Sequence, residues 1–103
     1  MSNKIIKFNK ISKYLEKIRT KKKVVLCHGV FDLLHIGHIK HFEDSKKKGD
    51  ILIVSVTPDI YVNKGPTKPF FNEKLRLHAV AALNCVDYVV LNESVTAIEI
   101  IKE

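Results

Sequence analysis

Val24-Val25-Leu26-Cys27-His28-Gly29-Val30-Phe31-Asp32-Leu33-Leu34-His35-Ile36-Gly37-His38 is the stretch that decides the fold. Its first four residues are a short apolar run rich in β-branched side chains, which reads as a buried strand. Gly29 follows, then a turn, then a helical pattern from about Ile36 to Lys48. Gly49-Asp50 closes that helix, with Gly49 suited to a left-handed C′ position. Outward from there, Ile51-Leu52-Ile53-Val54-Ser55-Val56 is a second, almost continuously apolar run, as expected of a strand covered on both faces. Upstream, Ile11, Tyr14, Leu15 and Ile18 recur at helical spacing, which predicts an amphipathic helix over Phe8 to Arg19.

Downstream, Thr57 to Phe71 reads as a loop punctuated by Pro58, Gly65, Pro66 and Pro69. Asn72 can cap a third helix, with Glu73 in its first turn and Leu75, Leu77, Val80, Ala81 and Leu83 as its apolar residues. Asp87 to Leu91 predicts a third strand, and Ser94 can cap a last helix running through Ile101. Strand and helix alternate three times after the leading helix. That order predicts an α/β fold, a three-layer Rossmann-like parallel sheet with helices on both faces. Residues 1–22 are expected to be a leading helix and basic loop, and residues 23–103 the α/β domain itself. Ligands of such folds bind beyond the carboxyl ends of the strands. The segments to inspect are therefore His28 to His38, Thr57 to Asn72 and Asn92-Glu93.

Composition sets outer bounds. The chain has 103 residues and a formal charge of +7, from 18 Lys and Arg against 11 Asp and Glu. The excess suits an anionic partner, while the runs Lys21-Lys22-Lys23 and Lys46-Lys47-Lys48 also read as solvated ends of elements. No run reaches the ~20 apolar residues of a membrane span, and Met1 to Lys10 has no apolar core of a secretion signal. Cys27 and Cys85 lie in apolar strand-like runs, so buried free thiols in a reducing cytoplasm are expected. Tyr14, Tyr61, Tyr88 and the phenylalanines do not interleave with basic residues, which argues against a nucleic-acid surface.

His35 and His38 share one face at a helix start, where unpaired amides and the helix dipole favour bound phosphate. Gly37 between them, and Gly29 at the strand end, would let a phosphate approach the backbone closely. Two imidazoles and free amides would thus converge on a triphosphate. This suits nucleotidyl transfer, in which a substrate phosphate attacks the α-phosphorus and pyrophosphate leaves, and which needs positioning and charge stabilisation more than a protein nucleophile. Zinc is the rival reading of the histidines. Only Asp32, Asp44 and Cys27 could complete such a site, and Cys27 should point inward, so no protein-held metal is expected. His41 reads as a solvated or packing residue. Walker A and G-x-G-x-x-G patterns are absent.

The pattern Gly29-x-Phe31-Asp32-x-x-His35-x-Gly37-His38, set between a strand and a helix, resembles the hallmark of the cytidylyltransferase-like nucleotidyltransferases. Asn63-Lys64-Gly65-Pro66-Thr67-Lys68-Pro69 and Asn72-Glu73-Lys74-Leu75-Arg76 look closest, within that family, to the adenylyltransferase domains of the ADP-heptose synthase group. Glycerol-3-phosphate cytidylyltransferases are a more distant match. The resemblance implies transfer of CMP or AMP from CTP or ATP, carried with Mg²⁺, to a sugar or polyol phosphate. It implies that His35 and His38 activate the triphosphate, that Gly29, Val30 and Phe31 line the nucleotide pocket, and that Asp32 orders the turn. It further implies that Lys64 contacts phosphate and that Arg76 helps hold the phosphate region. A plain loop lysine and a helix-surface charge remain the other readings of these last two. His35-Ile36-Gly37-His38 also matches the class I aminoacyl-tRNA synthetases, but no Lys-Met-Ser-Lys-Ser loop accompanies it. Family members continue into a further strand and a Ser/Thr-rich motif that these residues lack. The chain is therefore expected to be a fragment of a longer polypeptide, such as one that carries a sugar-kinase domain, or a short product that forms a homodimer through an exposed sheet edge. The alternative to an enzyme is a nucleotide-binding module without independent turnover, part of a larger bifunctional enzyme.

Overall fold

A computed structural model describes residues 3–62 and 71–92. In chain order the elements are β1 (Ile5–Ile6), α1 (Phe8–Ile18), β2 (Val24–Gly29), α2 (Ile36–Lys46), β3 (Ile51–Val56), α3 (Glu73–Ala81) and β4 (Tyr88–Leu91), with a 3-10 turn at Asp59–Tyr61. The four strands form one sheet in the order β1-β4-β3-β2, and every pairing is parallel. The expected alternation is therefore present. The last expected helix, from Ser94, lies outside the described residues. Among the described residues no helix is long and apolar enough to cross a membrane.

Strand side chains alternate between two apolar layers. Val25, Cys27, Val54 and Val56 face α2 and α3, where they pack with Phe42, Leu77 and Val80. Ile53 and Val90 face α1 and meet Ile11 and Leu15, with Val24 and Leu26 at the margin. Burial of each such side chain contributes about 1.5–3 kcal/mol. The apolar runs in β3 and β4 follow from this: a strand covered on both faces has no solvent side on which to alternate.

Four features differ from expectation. Ile5–Ile6 forms an extra strand, with Ile5 opposite Val89 and Ile6 opposite Val90. Two residues are too few to leave a period in the sequence, and only β4 gives them a partner. The second helix stops at Lys46, and Leu83 lies beyond the end of α3. Gly49 is not in the left-handed region. It is small because a Cβ there would stand 2.7 Å from Val25 Cγ2 and 3.0 Å from the Lys23 carbonyl oxygen. Cys85 is half-buried in the turn before β4 rather than in a strand, and burial there pushes its thiol pKa up; Cys27 is buried, and neither thiol is in a disulfide.

Far from the carboxyl edge, Asp87 ties three elements together. Its Oδ2 accepts from Leu52 N at 2.8 Å and pairs with Lys46 Nζ, which also donates to the Asp50 carbonyl. Both side chains of the pair are one-third exposed, so the ion pair itself adds little and the amide bond matters more. Asp87→Ala should cost about 1–3 kcal/mol of unfolding free energy by leaving the Leu52 amide unpaired. Lys46→Ala should cost less than about 1 kcal/mol. Urea midpoints for the two variants check the order.

Candidate functional site

At the carboxyl end of β2 the chain turns sharply into α2. Phe31 takes φ 53, the left-handed region that bulky residues avoid, so this turn carries backbone strain. The surroundings hold it there. The Phe31 ring packs edge-on to Phe42 at 5.1 Å and to His38 at 5.7 Å between ring centres. It also covers Gly29, where a Cβ would fall 2.8 Å from Phe31 Cζ. The space over Gly29 is thus taken by an aromatic ring.

His35 is the N-cap of α2. Its Nδ1 accepts from Gly37 N at 3.0 Å, and its own backbone N donates to His38 Nδ1 at 3.3 Å. This reciprocal cap brings the two imidazoles to 4.1 Å between centres. It also settles their chemistry. A ring nitrogen that accepts carries no proton, so in the neutral ring the proton sits on Nε2. While the cap is intact, His35 and His38 are two neutral N–H donors. Burial first, then the neighbouring His35 and His41, hold the His38 pKa below its usual 6.5. Gly37 is required by the same device, because a Cβ there would lie 2.7 Å from His35 Cε1. Its amide is already bonded to His35. Both glycines thus have a packing reason in this structure, the close approach of a ring.

Arg76 is almost wholly buried, at 1% exposure, and is not a surface charge. Its Nε donates to the Phe71 carbonyl at 3.0 Å, its Nη1 to the Val30 and Thr57 carbonyls at 2.9 and 2.6 Å, and its Nη2 pairs with Asp59. One guanidinium thus fastens the motif turn, the exit of β3, the 3-10 turn and the approach to α3. Asp59 and Glu73 brace it by exchanging backbone bonds: Asp59 N donates to Glu73 Oε1, and Glu73 N to Asp59 Oδ2. Asp32 accepts from Phe71 N at 2.7 Å, so it ties the motif turn across to α3, and Asn72 caps α3 as expected. Lys64 lies outside the described residues.

The fold therefore brings Gly29, Val30, Phe31, His35, Gly37 and His38 together at one mouth and puts Arg76 behind it as a strut. Asp59 left no sign in the sequence spacing, and Glu73 read only as a first-turn acid; both act through contacts between segments. His41 sits 3.7 Å from the buried Cys27 thiol, and Ser45 Oγ shares that thiol at 3.4 Å.

Comparison with known proteins gives a consistent picture. The family model described as "Cytidylyltransferase-like" matches residues 26–103. "Bifunctional protein HldE" of Aliarcobacter butzleri (strain RM4018) is 41% identical over 98% of this chain and 22% of its own length. The protein of that name from Helicobacter pylori (strain G27) is 42% identical over 96% and 21%. The crystal structure of the lipopolysaccharide core biosynthesis protein from Thermoplasma volcanium GSS1 superposes with a TM-score of 0.69 at 35% identity, over 77% of this chain and 65% of that one. The chain spans about a fifth of the length of the curated relatives it matches.

Two outcomes are expected from this geometry. The His38 ring should titrate with a midpoint below 6.5 by NMR. Because folding favours its neutral form, its contribution to stability is full above 6.5 and is lost as pH falls from there through the lowered folded value. Arg76→Lys, which cannot reproduce the planar fork, should destabilise the fold by roughly 3 kcal/mol, read from chemical denaturation.

Proposed function

Because the chain belongs to the cytidylyltransferase-like family, we propose that it binds a nucleoside triphosphate at the His35–His38 end of α2 and serves nucleotidyl transfer to a small phosphorylated substrate. The observation that carries this reading is the reciprocal cap, which fixes both Nδ1 atoms as acceptors and leaves two Nε2–H donors side by side. Paired donors 4.1 Å apart at ring centres match the oxygens of a polyphosphate, and the α2 dipole adds to their pull.

In the transfer, an oxygen of the acceptor phosphate forms a bond to the α-phosphorus while the bond to the bridging oxygen breaks and pyrophosphate departs. The Nε2–H groups stabilise charge that grows on the non-bridging and leaving oxygens. Neutral imidazoles donate without adding a proton to the departing group. Mg²⁺ would ride on the oxygens of the triphosphate and supply charge neutralisation there. The strained Phe31 turn and the Arg76 strut hold the mouth in place before the nucleotide arrives, which lowers the ordering cost of binding. The acceptor is proposed to be a sugar or polyol phosphate, and the donor ATP or CTP; the likeness to proteins named bifunctional HldE and to a lipopolysaccharide core biosynthesis protein supports a sugar phosphate.

A second reading, a nucleotide-binding module whose turnover needs further chain, draws on the fraction of its relatives' length that this chain spans. Calorimetry with MgATP and MgCTP should show binding to the native chain. It should show a loss of roughly tenfold or more for His35→Ala with His38→Ala, as expected for removing hydrogen bonds to a charged ligand. Equal affinity would reject the site. A pyrophosphate-release assay with sugar phosphates separates turnover from binding alone.

A further inference from the structure

The geometry points to His28 as the residue that receives the phosphate of the acceptor, on the opposite side of β2 from the imidazole pair; this rests on the proposed nucleotidyl transfer. His28 is the last side chain of β2 before Gly29, at the carboxyl edge of the sheet. Strand alternation sends it to the α1 side, in step with Leu26, whereas Cys27 goes to the α2 side. Its partner in register on β3 is Ser55, which has no exposure to solvent. The Ser55 hydroxyl lies 3.0 Å from His28 Nδ1.

A buried hydroxyl in the middle of an apolar strand is costly unless it is bonded. Here its bond fixes the rotation of an imidazole that is otherwise exposed, and it directs Nε2 outward with no partner among the described residues. His28 is exposed and packs no core, and neither residue caps an element. The nucleotide site described above does not use them.

In-line displacement assigns this position a role. The attacking and leaving oxygens must lie on opposite sides of the α-phosphorus. With the departing pyrophosphate held over the N-terminus of α2, the acceptor has to come across the strand ends from the α1 side. His28 stands there, held by Ser55, as a phosphate-positioning group. The acceptor phosphate oxygen that attacks carries no proton to remove, so the task of His28 is to bind and aim it, and the balance of the transfer is unchanged.

The test uses the full chain, saturated with the Mg²⁺ complex of α,β-methylene ATP or CTP, which cannot be turned over at that bond. Ribose 5-phosphate is the phosphomonoester probe, titrated by calorimetry and by ¹H–¹⁵N spectra of the histidine rings. The expected result is a shift of the His28 ring signals on adding the sugar phosphate. His28→Ala should weaken sugar-phosphate affinity roughly tenfold with nucleotide affinity unchanged. Ser55→Ala, which keeps the imidazole but frees it, should give an intermediate loss. Unchanged sugar-phosphate affinity in His28→Ala overturns the proposal, as does an equal loss for both ligands or no sugar-phosphate binding by the native chain. Failure of the nucleotide to bind, with the His28-dependent sugar-phosphate site intact, instead rejects the nucleotide reading and leaves the His28 site standing.

Discussion

Everything at the carboxyl edge hangs on one buried cation. A guanidinium without solvent must be matched by acceptors on every side, and Arg76 finds them in three backbone carbonyls and one carboxylate drawn from three separate stretches of chain. The requirement works in both directions. The carbonyls of Val30 and Thr57 sit at loop positions where no strand or helix partner is available, so the cation helps to fix the loops that carry them. Asp59 and Glu73 lock the same junction through exchanged backbone bonds.

With the loops fixed, the motif turn can hold a conformation that a free chain would reject. Phe31 stays at positive φ because its ring is wedged among Gly29, His38 and Phe42. Each glycine of the motif makes room for a ring, and each ring in turn orients an imidazole or its neighbour. The result is a pair of histidines whose inner nitrogens are occupied by the backbone and whose outer nitrogens are donors. This arrangement is specific in charge as well as position. Neutral donors aligned with a helix dipole suit an anion that must develop charge and then leave.

The parallel sheet explains why chemistry gathers at this edge. All four strands point the same way, so their carboxyl ends and the loops that follow them open on one side. Two helical layers flank that edge, α2 and α3 on one face and α1 on the other. A ligand lying across the strand ends can be met from both faces, by His35 and His38 from one and by His28 from the other. Transfer between two phosphates needs such two-sided access, because the incoming and outgoing oxygens cannot share a side.

The sequence alone was enough for the class of fold, for strands β2 to β4 and helices α1 to α3 within a few residues, and for the histidine pair. These follow from local physics: apolar runs bounded by turn residues, an Asn cap on α3, and histidines spaced to share a helix face. Other features depended on partners distant in the chain. Ile5–Ile6 is a strand only because Val89 and Val90 stand beside it. Arg76 read as a helix-surface charge or as a residue that helps hold the phosphate region; that it is buried, with acceptors up to 46 positions away, only the fold shows. The glycines of the motif read as openings for phosphate, and only the packing shows that each also makes room for a ring. Spacing along a chain records which groups can meet across one helical turn or one pleat; which loops close over a charge, and on which face of the sheet a histidine emerges with a serine behind it, is set by the folded packing alone.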